Sequence, residues 1–169
     1  MKTSGSVRAA LAGFLMVSSL AVARAADDAA TAFAKEAVQG NLAEIELGKL
    51  ASEKGGSAPI KSFGTMLVED TDKANGALTP LVKQMGVSIP LTPNDNQKQV
   101  SIRLAKEPTK TFDTDFVNQM LQDQQNMLTR YEAVAAQAGN PLSSYASSQV
   151  PVFKAHLAKI TEIAKGMGI

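Results

Sequence analysis

An all-α fold, an antiparallel four-helix bundle, is what this chain predicts. Three observations carry the reading. Four long segments place apolar residues at helical spacing, the connections between them are short except at one place, and no stretch alternates with period two for long enough to make a strand.

The segment before the first of these helices reads as an export signal, residues 1–26. Lys2 and Arg8 supply the positive end, and residues 9–22 are uncharged and mostly apolar. Ala23-Arg24-Ala25 then sets small residues at the two positions a signal peptidase reads. An apolar run of fourteen residues is short for a membrane span of roughly 20. Cleavage after Ala25 or Ala26 leaves a mature domain over 27–169, and the expected location is the periplasm. Removing Lys2, Arg8 and Arg24 leaves 14 basic against 16 acidic side chains, a mature charge of −2. That balance gives no reason to expect nucleic acid as a partner. No transmembrane segment is expected after signal cleavage.

The first helix is expected over 29–54, with Phe33, Ala37, Leu47 and Ala51 on one apolar sector and Val38, Leu42 and Ile45 on a second. Lys54 followed by Gly55-Gly56 is a stop. Ser57 and Pro59 open the second helix, whose stripe is Ile60, Phe63, Leu67, Ala74, Leu78, Leu81 and Met85. Pro80 predicts a kink or a break near Gly76. Residues 87–96, with two prolines, read as a crossing connection, and 97–107 as a short extra helix ended by Pro108. Thr111 is the expected N-cap of the next helix, which carries Phe116, Val117, Met120, Leu121, Met127, Leu128, Tyr131, Ala135 and Ala138 inward. Gly139-Asn140-Pro141 ends it. The last helix runs from about 141 to 165, with Val150-Pro151 as a second candidate kink.

Composition removes several function classes. The 169 residues contain no cysteine and one histidine, His156. A disulfide scaffold, a thiolate nucleophile and a cysteine zinc site are excluded, as is any site needing two imidazoles from one chain. Most of the methionines sit on stripes among Leu and Phe and read as packing. Ser143, Ser144, Ser147 and Ser148 have no base near them in sequence, which argues against a serine nucleophile.

The informative positions are those where a stripe turns polar. Thr71 is seven residues before Leu78 and points inward, with Asp70 on the stripe's edge. Gln124 is seven before Tyr131 and points inward beside Asp123. His156 lies between Phe153 and Ile160, and Glu44 falls within about 20° of Phe33 and Ala51 at 100° per residue. Burying such groups costs roughly 1–3 kcal/mol each unless they pair. Pairing among themselves, with Glu44 against His156, is one reading. A metal or small ligand between helices is the other, and bundles do build such sites. The chain has no Glu-x-x-His, so few metal ligands are on offer.

Three stretches carry a family resemblance: QGNLAEIELGKLASEKG at 39–55, KSFGTMLVEDTDKANGALTPL at 61–81, and FDTDFVNQMLQDQQNML at 112–128 together with VPVFKAHLAKI at 150–160. The chain resembles the bacterial family called domain of unknown function 4142, an exported ferritin-like bundle. The resemblance places a family Asp-His at Asp70-Thr71, an Asp-His or similar pair at Asp123-Gln124, and a family histidine at His156. One of three histidines is therefore kept. The resemblance implies a ferritin-like fold, export, and a degenerate site wherever metal binding runs through those histidines.

Two function classes follow. One is a non-enzymatic periplasmic protein, binding or stress-linked, with an unidentified small ligand or protein partner and no cofactor. The other is a ferritin-like metalloprotein holding a transition metal at a degenerate interior site built from Glu44, Asp70, Thr71, Asp123, Gln124 and His156. A homo-oligomer is compatible with either.

Overall fold

The computed structural model describes the backbone of residues 12–169 and the side chains from residue 27 onward. The segment expected to be a signal, residues 1–26, therefore lies outside the described residues apart from the helical backbone from Ala12. Five helices appear in chain order: α1 Ala12–Lys54, α2 Ala58–Gln84, α3 Asp95–Lys106, α4 Thr109–Ala135 and α5 Ser143–Met167. No strand occurs among the described residues. No described helix is long and apolar enough to cross a membrane.

The boundaries correct the sequence reading in several places. The first helix was expected from residue 29 but its backbone is continuous from Ala12. Pro80 neither breaks nor divides α2, and Pro151 does not divide α5. Both prolines are exposed, so the backbone hydrogen bond each one removes lies on the solvent side, where water can replace it. Pro108, not Thr111, is the N-cap residue of α4; the Thr111 hydroxyl instead donates to Glu107 and to the Pro108 carbonyl. Ser57 holds the N-cap position of α2 without a side-chain bond. Helix α4 ends at Ala135, which leaves Ala138 exposed outside it. The connection at 87–96 gives up its last residues to α3, which Asn94 opens with a capping box: its side chain accepts from the Gln97 amide at 3.0 Å, and Gln97 accepts from the Asn94 amide at 2.8 Å.

The core has two apolar halves. Phe33, Leu78, Val82, Tyr131, Leu142 and Phe153 anchor one, and Ile60, Phe63, Leu67, Phe112, Phe116 and Ile160 the other. Each of α1, α2, α4 and α5 contributes to both halves, so membership gives the helix directions. Helices α1 and α5 run from the first half to the second; α2 and α4 run back. The connection at 85–94 with α3 carries the chain the length of the molecule between α2 and α4. Helix α1 packs along α2 and α4 along α5, with α2 against α5 and α3 laid over α1.

Two contacts tie the ends together. Lys54 ends α1 as the stop expected there, and its ammonium also donates to the Leu104 and Ala105 carbonyls at the end of α3. The Gly56 amide donates to Asp113 at 2.8 Å, which joins the α1–α2 turn to the start of α4. Helices α1 and α2 approach closely at two glycines. A Cβ added to Gly64 would lie 2.5 Å from the Gly48 carbonyl oxygen, so only glycine fits there.

Candidate functional site

The four inward polar residues lie in the layer between the two apolar halves. All are buried: Glu44 is 7% exposed, Thr71 3%, Gln124 0% and His156 2%. The heptad spacing on each helix puts them there, because a residue seven before a core position shares its face. The Gln124 amide Nε2 donates to Glu44 Oε1 at 2.6 Å, and the Thr71 hydroxyl donates to Glu44 Oε2 at 3.1 Å. Each carboxylate oxygen of Glu44 thus holds one neutral donor.

His156 does not pair directly with Glu44, contrary to the expected partnership. Its Nε2 lies 3.2 Å from Asp70 Oδ2, and the Asp70 carboxylate also accepts from Lys73 at 2.9 Å. The imidazole meets the carboxylate at the stripe's edge, whereas Glu44 is already engaged by neutral donors. The ring is flanked edge-on by Phe63 and Phe153, which fixes its plane.

Electrostatics separate the carboxylates. Burial pushes the Glu44 carboxyl above its ordinary value, opposed by the field of His156 and by the bonds from Gln124 and Thr71, and reinforced by Asp123. Burial also raises Asp123, whose two oxygens accept from Gln119 at 3.1 Å. For Asp70 burial acts upward, but the Lys73 and His156 contacts outweigh it and hold the carboxyl below its ordinary value.

Some buried atoms stay unpaired: Gln124 Oε1, His156 Nδ1 and the hydroxyls of Tyr131 and Tyr145. Burial pushes both phenols up, Tyr131 well above the ordinary range. Both tyrosines are buried, with 1% and 5% of the residue exposed. A void of about 10 Å³ touches Asn41, Glu44, Asp70, Thr71 and His156, the size of a single water.

Asn41 is a member the sequence reading missed. It is 1% exposed and its amide donates to Asn75 at 2.8 Å. Its position, four after Ala37 and three before Glu44, was the signal that marks it.

The donor set does not fit a metal ion. Among the described residues no three His, Asp or Glu side chains converge. The His156–Asp70 pair offers two donors, and the oxygens of Glu44 and Asp123 are engaged by amides and a hydroxyl. Ferritin-like sites use several carboxylates and at least two imidazoles.

On the α3 side of Glu44 lies a cleft of about 220 Å³ between α1, α3 and α4. Glu44 and Asp123 reach it, Leu47, Val100 and Met127 give it apolar walls, and Asn96 lies at its edge. Of the six residues singled out in the sequence, the structure brings Glu44, Thr71 and Gln124 into one network. Asp70 and His156 form a second pair across the small void, and Asp123 stands apart in the cleft.

Fold and site together define an all-α protein with a polar layer dividing its core. It belongs to the domain of unknown function family DUF4142, whose model matches residues 16–163. No curated protein and no solved structure matches the chain.

Proposed function

We propose that the chain is exported, loses residues 1–26, and works in the periplasm as a non-enzymatic binding protein built as a ferritin-like four-helix bundle. The leader pattern of Lys2, Arg8, the apolar run and Ala23-Arg24-Ala25 supports export. The single long crossover, with α2 and α4 running the same way, supports the ferritin-like connectivity. One observation carries the functional reading: the interior carboxylate Glu44 is held by Thr71 and Gln124, neutral donors that leave no ligand set for redox chemistry, while a half-open cleft lies beside it.

A second reading, a ferritin-like metalloprotein with a degenerate site, is favoured by the unpaired buried His156 Nδ1. Elemental analysis of untagged protein purified from the periplasm separates the two. The binding reading expects no stoichiometric iron, manganese or copper. A full equivalent of any of these would establish the second reading. The mass of the same sample tests export, since intact Lys2 would contradict it.

A further inference from the structure

We propose that the cleft between α1, α3 and α4 is a binding site for a small organic monocation, an amine carried on a compact apolar body. The inference deepens the binding-protein reading above and rests on it. The cleft holds two carboxylates, Glu44 and Asp123, and among the described residues no Lys, Arg or His lines it. Glu44 is nine-tenths buried, and the one imidazole whose field reaches it, His156, is committed to Asp70 on the opposite side. Two carboxylates in one cleft, Glu44 buried and Asp123 half-buried, with no cation lining it are a costly arrangement, and a ligand that brings the missing charge relieves it. Burial raises both carboxyls, in keeping with that shortage.

The rest of the wall sets the ligand's body. Leu47, Val100 and Met127 are apolar, and Gly40 leaves room that a Cβ would take from the Met127 methyl, 2.9 Å away. A cavity of about 150 Å³ admits benzene, so about 220 Å³ takes one ring or a short branched chain with its ammonium. A metal ion fits this wall poorly, since Ca²⁺ wants roughly six to eight oxygen ligands and here would meet two carboxylates on a mostly apolar surface.

The test titrates the mature protein with benzylamine, with benzyl alcohol as its neutral counterpart, and with Ca²⁺ and Mn²⁺, by calorimetry. Saturable benzylamine binding is expected in the micromolar to millimolar range that suits so small a ligand. Benzyl alcohol is expected to bind about tenfold more weakly or worse. Asp123→Asn should lose about tenfold for the amine and nothing for the alcohol. Ala43→Leu, which fills the cleft, should abolish both. Equal binding of amine and alcohol overturns the charge preference while leaving the binding reading in place. Silence toward both organic ligands overturns the cleft as a site and the binding reading with it. A response to Ca²⁺ or Mn²⁺ alone, lost in Asp123→Asn, overturns the proposal in favour of an ion.

Discussion

Gln124 and Glu44, eighty positions apart, meet at 2.6 Å in the middle of the molecule. This bond joins α1 to α4 where the two apolar halves of the core meet, and with Thr71 it extends to α2. A buried carboxylate held by an amide and a hydroxyl is engaged without being neutralised. Such a group is costly to bury, and the cost shows when one of its partners is lost.

Deleting one partner exposes that cost. Gln124→Leu leaves one Glu44 oxygen without its donor and should lower stability by about 1–3 kcal/mol. Glu44→Leu alone strands both Gln124 and Thr71 and should cost a similar amount. The double Leu variant should cost less than the two singles together, with a coupling of about 1 kcal/mol or more. Urea melts of the four proteins measure this, and additive losses would show that the bond is energetically idle.

His156 and Asp70 should differ sharply despite being partners. His156 is 2% exposed between Phe63 and Phe153, so His156→Ala opens a cavity and should cost about 3 kcal/mol. The Asp70 side chain is 32% exposed, and Asp70→Asn should cost less than about 1 kcal/mol. Equal losses in denaturant melts would contradict this ranking.

Stability should fall as pH rises above the ordinary carboxylate range. Unfolded, Glu44 titrates near 4.5; folded, it titrates higher, so in that window the folded state binds the extra proton and stability declines with rising pH. Asp123 acts in the same direction from 3.8. Asp70 acts oppositely, but its contribution is complete above 3.8 and is lost only at lower pH. The melting temperature should therefore drop as pH rises through and above the ordinary carboxylate range, and Glu44→Gln should flatten the slope. His156, Thr71, Gln124 and Asp123, the groups that face Glu44 from the other helices, are common to both proteins. The difference between their melting profiles isolates the Glu44 proton, and parallel profiles would remove it from the account.

The glycines of α2 should give opposite results. Gly64→Ala forces a methyl against the Gly48 carbonyl and the Ser52 amide, at 2.5 and 2.7 Å, and should cost about 3 kcal/mol or more. Gly76 faces open space, with nothing within 4 Å of an added Cβ. Gly76→Ala should stabilise by about 0.5–1 kcal/mol. Thermal melts of both variants check the sign.

Much of this interior was legible in the sequence, because helical spacing says which face a residue shares. Glu44, Thr71, Gln124 and His156 were placed inward by counting from Phe33, Leu78, Tyr131 and Phe153, and all four are buried. Their partners were not legible. Whether His156 meets Glu44 or Asp70 depends on rotation and offset between helices, which periodicity within one helix does not carry. The break allowed for at Pro80 does not occur for a related reason: a proline divides a helix only where the lost bond lies away from water, and Pro80, like Pro151, faces solvent. The cleft was invisible because it exists only through the docking of α3 over α1, and the sequence gives α3 no address.

The members of the polar layer bond to one another, Glu44 to Thr71 and Gln124 and Asp70 to His156, which leaves little call for an ion. Thermal melts of the wild type and of His156→Ala, each with and without Mn²⁺, Fe²⁺ or Zn²⁺, test this most directly. The expected result is that His156→Ala melts lower and that no metal raises either protein's midpoint. A rise of several degrees in the wild type that is absent in His156→Ala would contradict it, because only an ion bound at that imidazole links the two results.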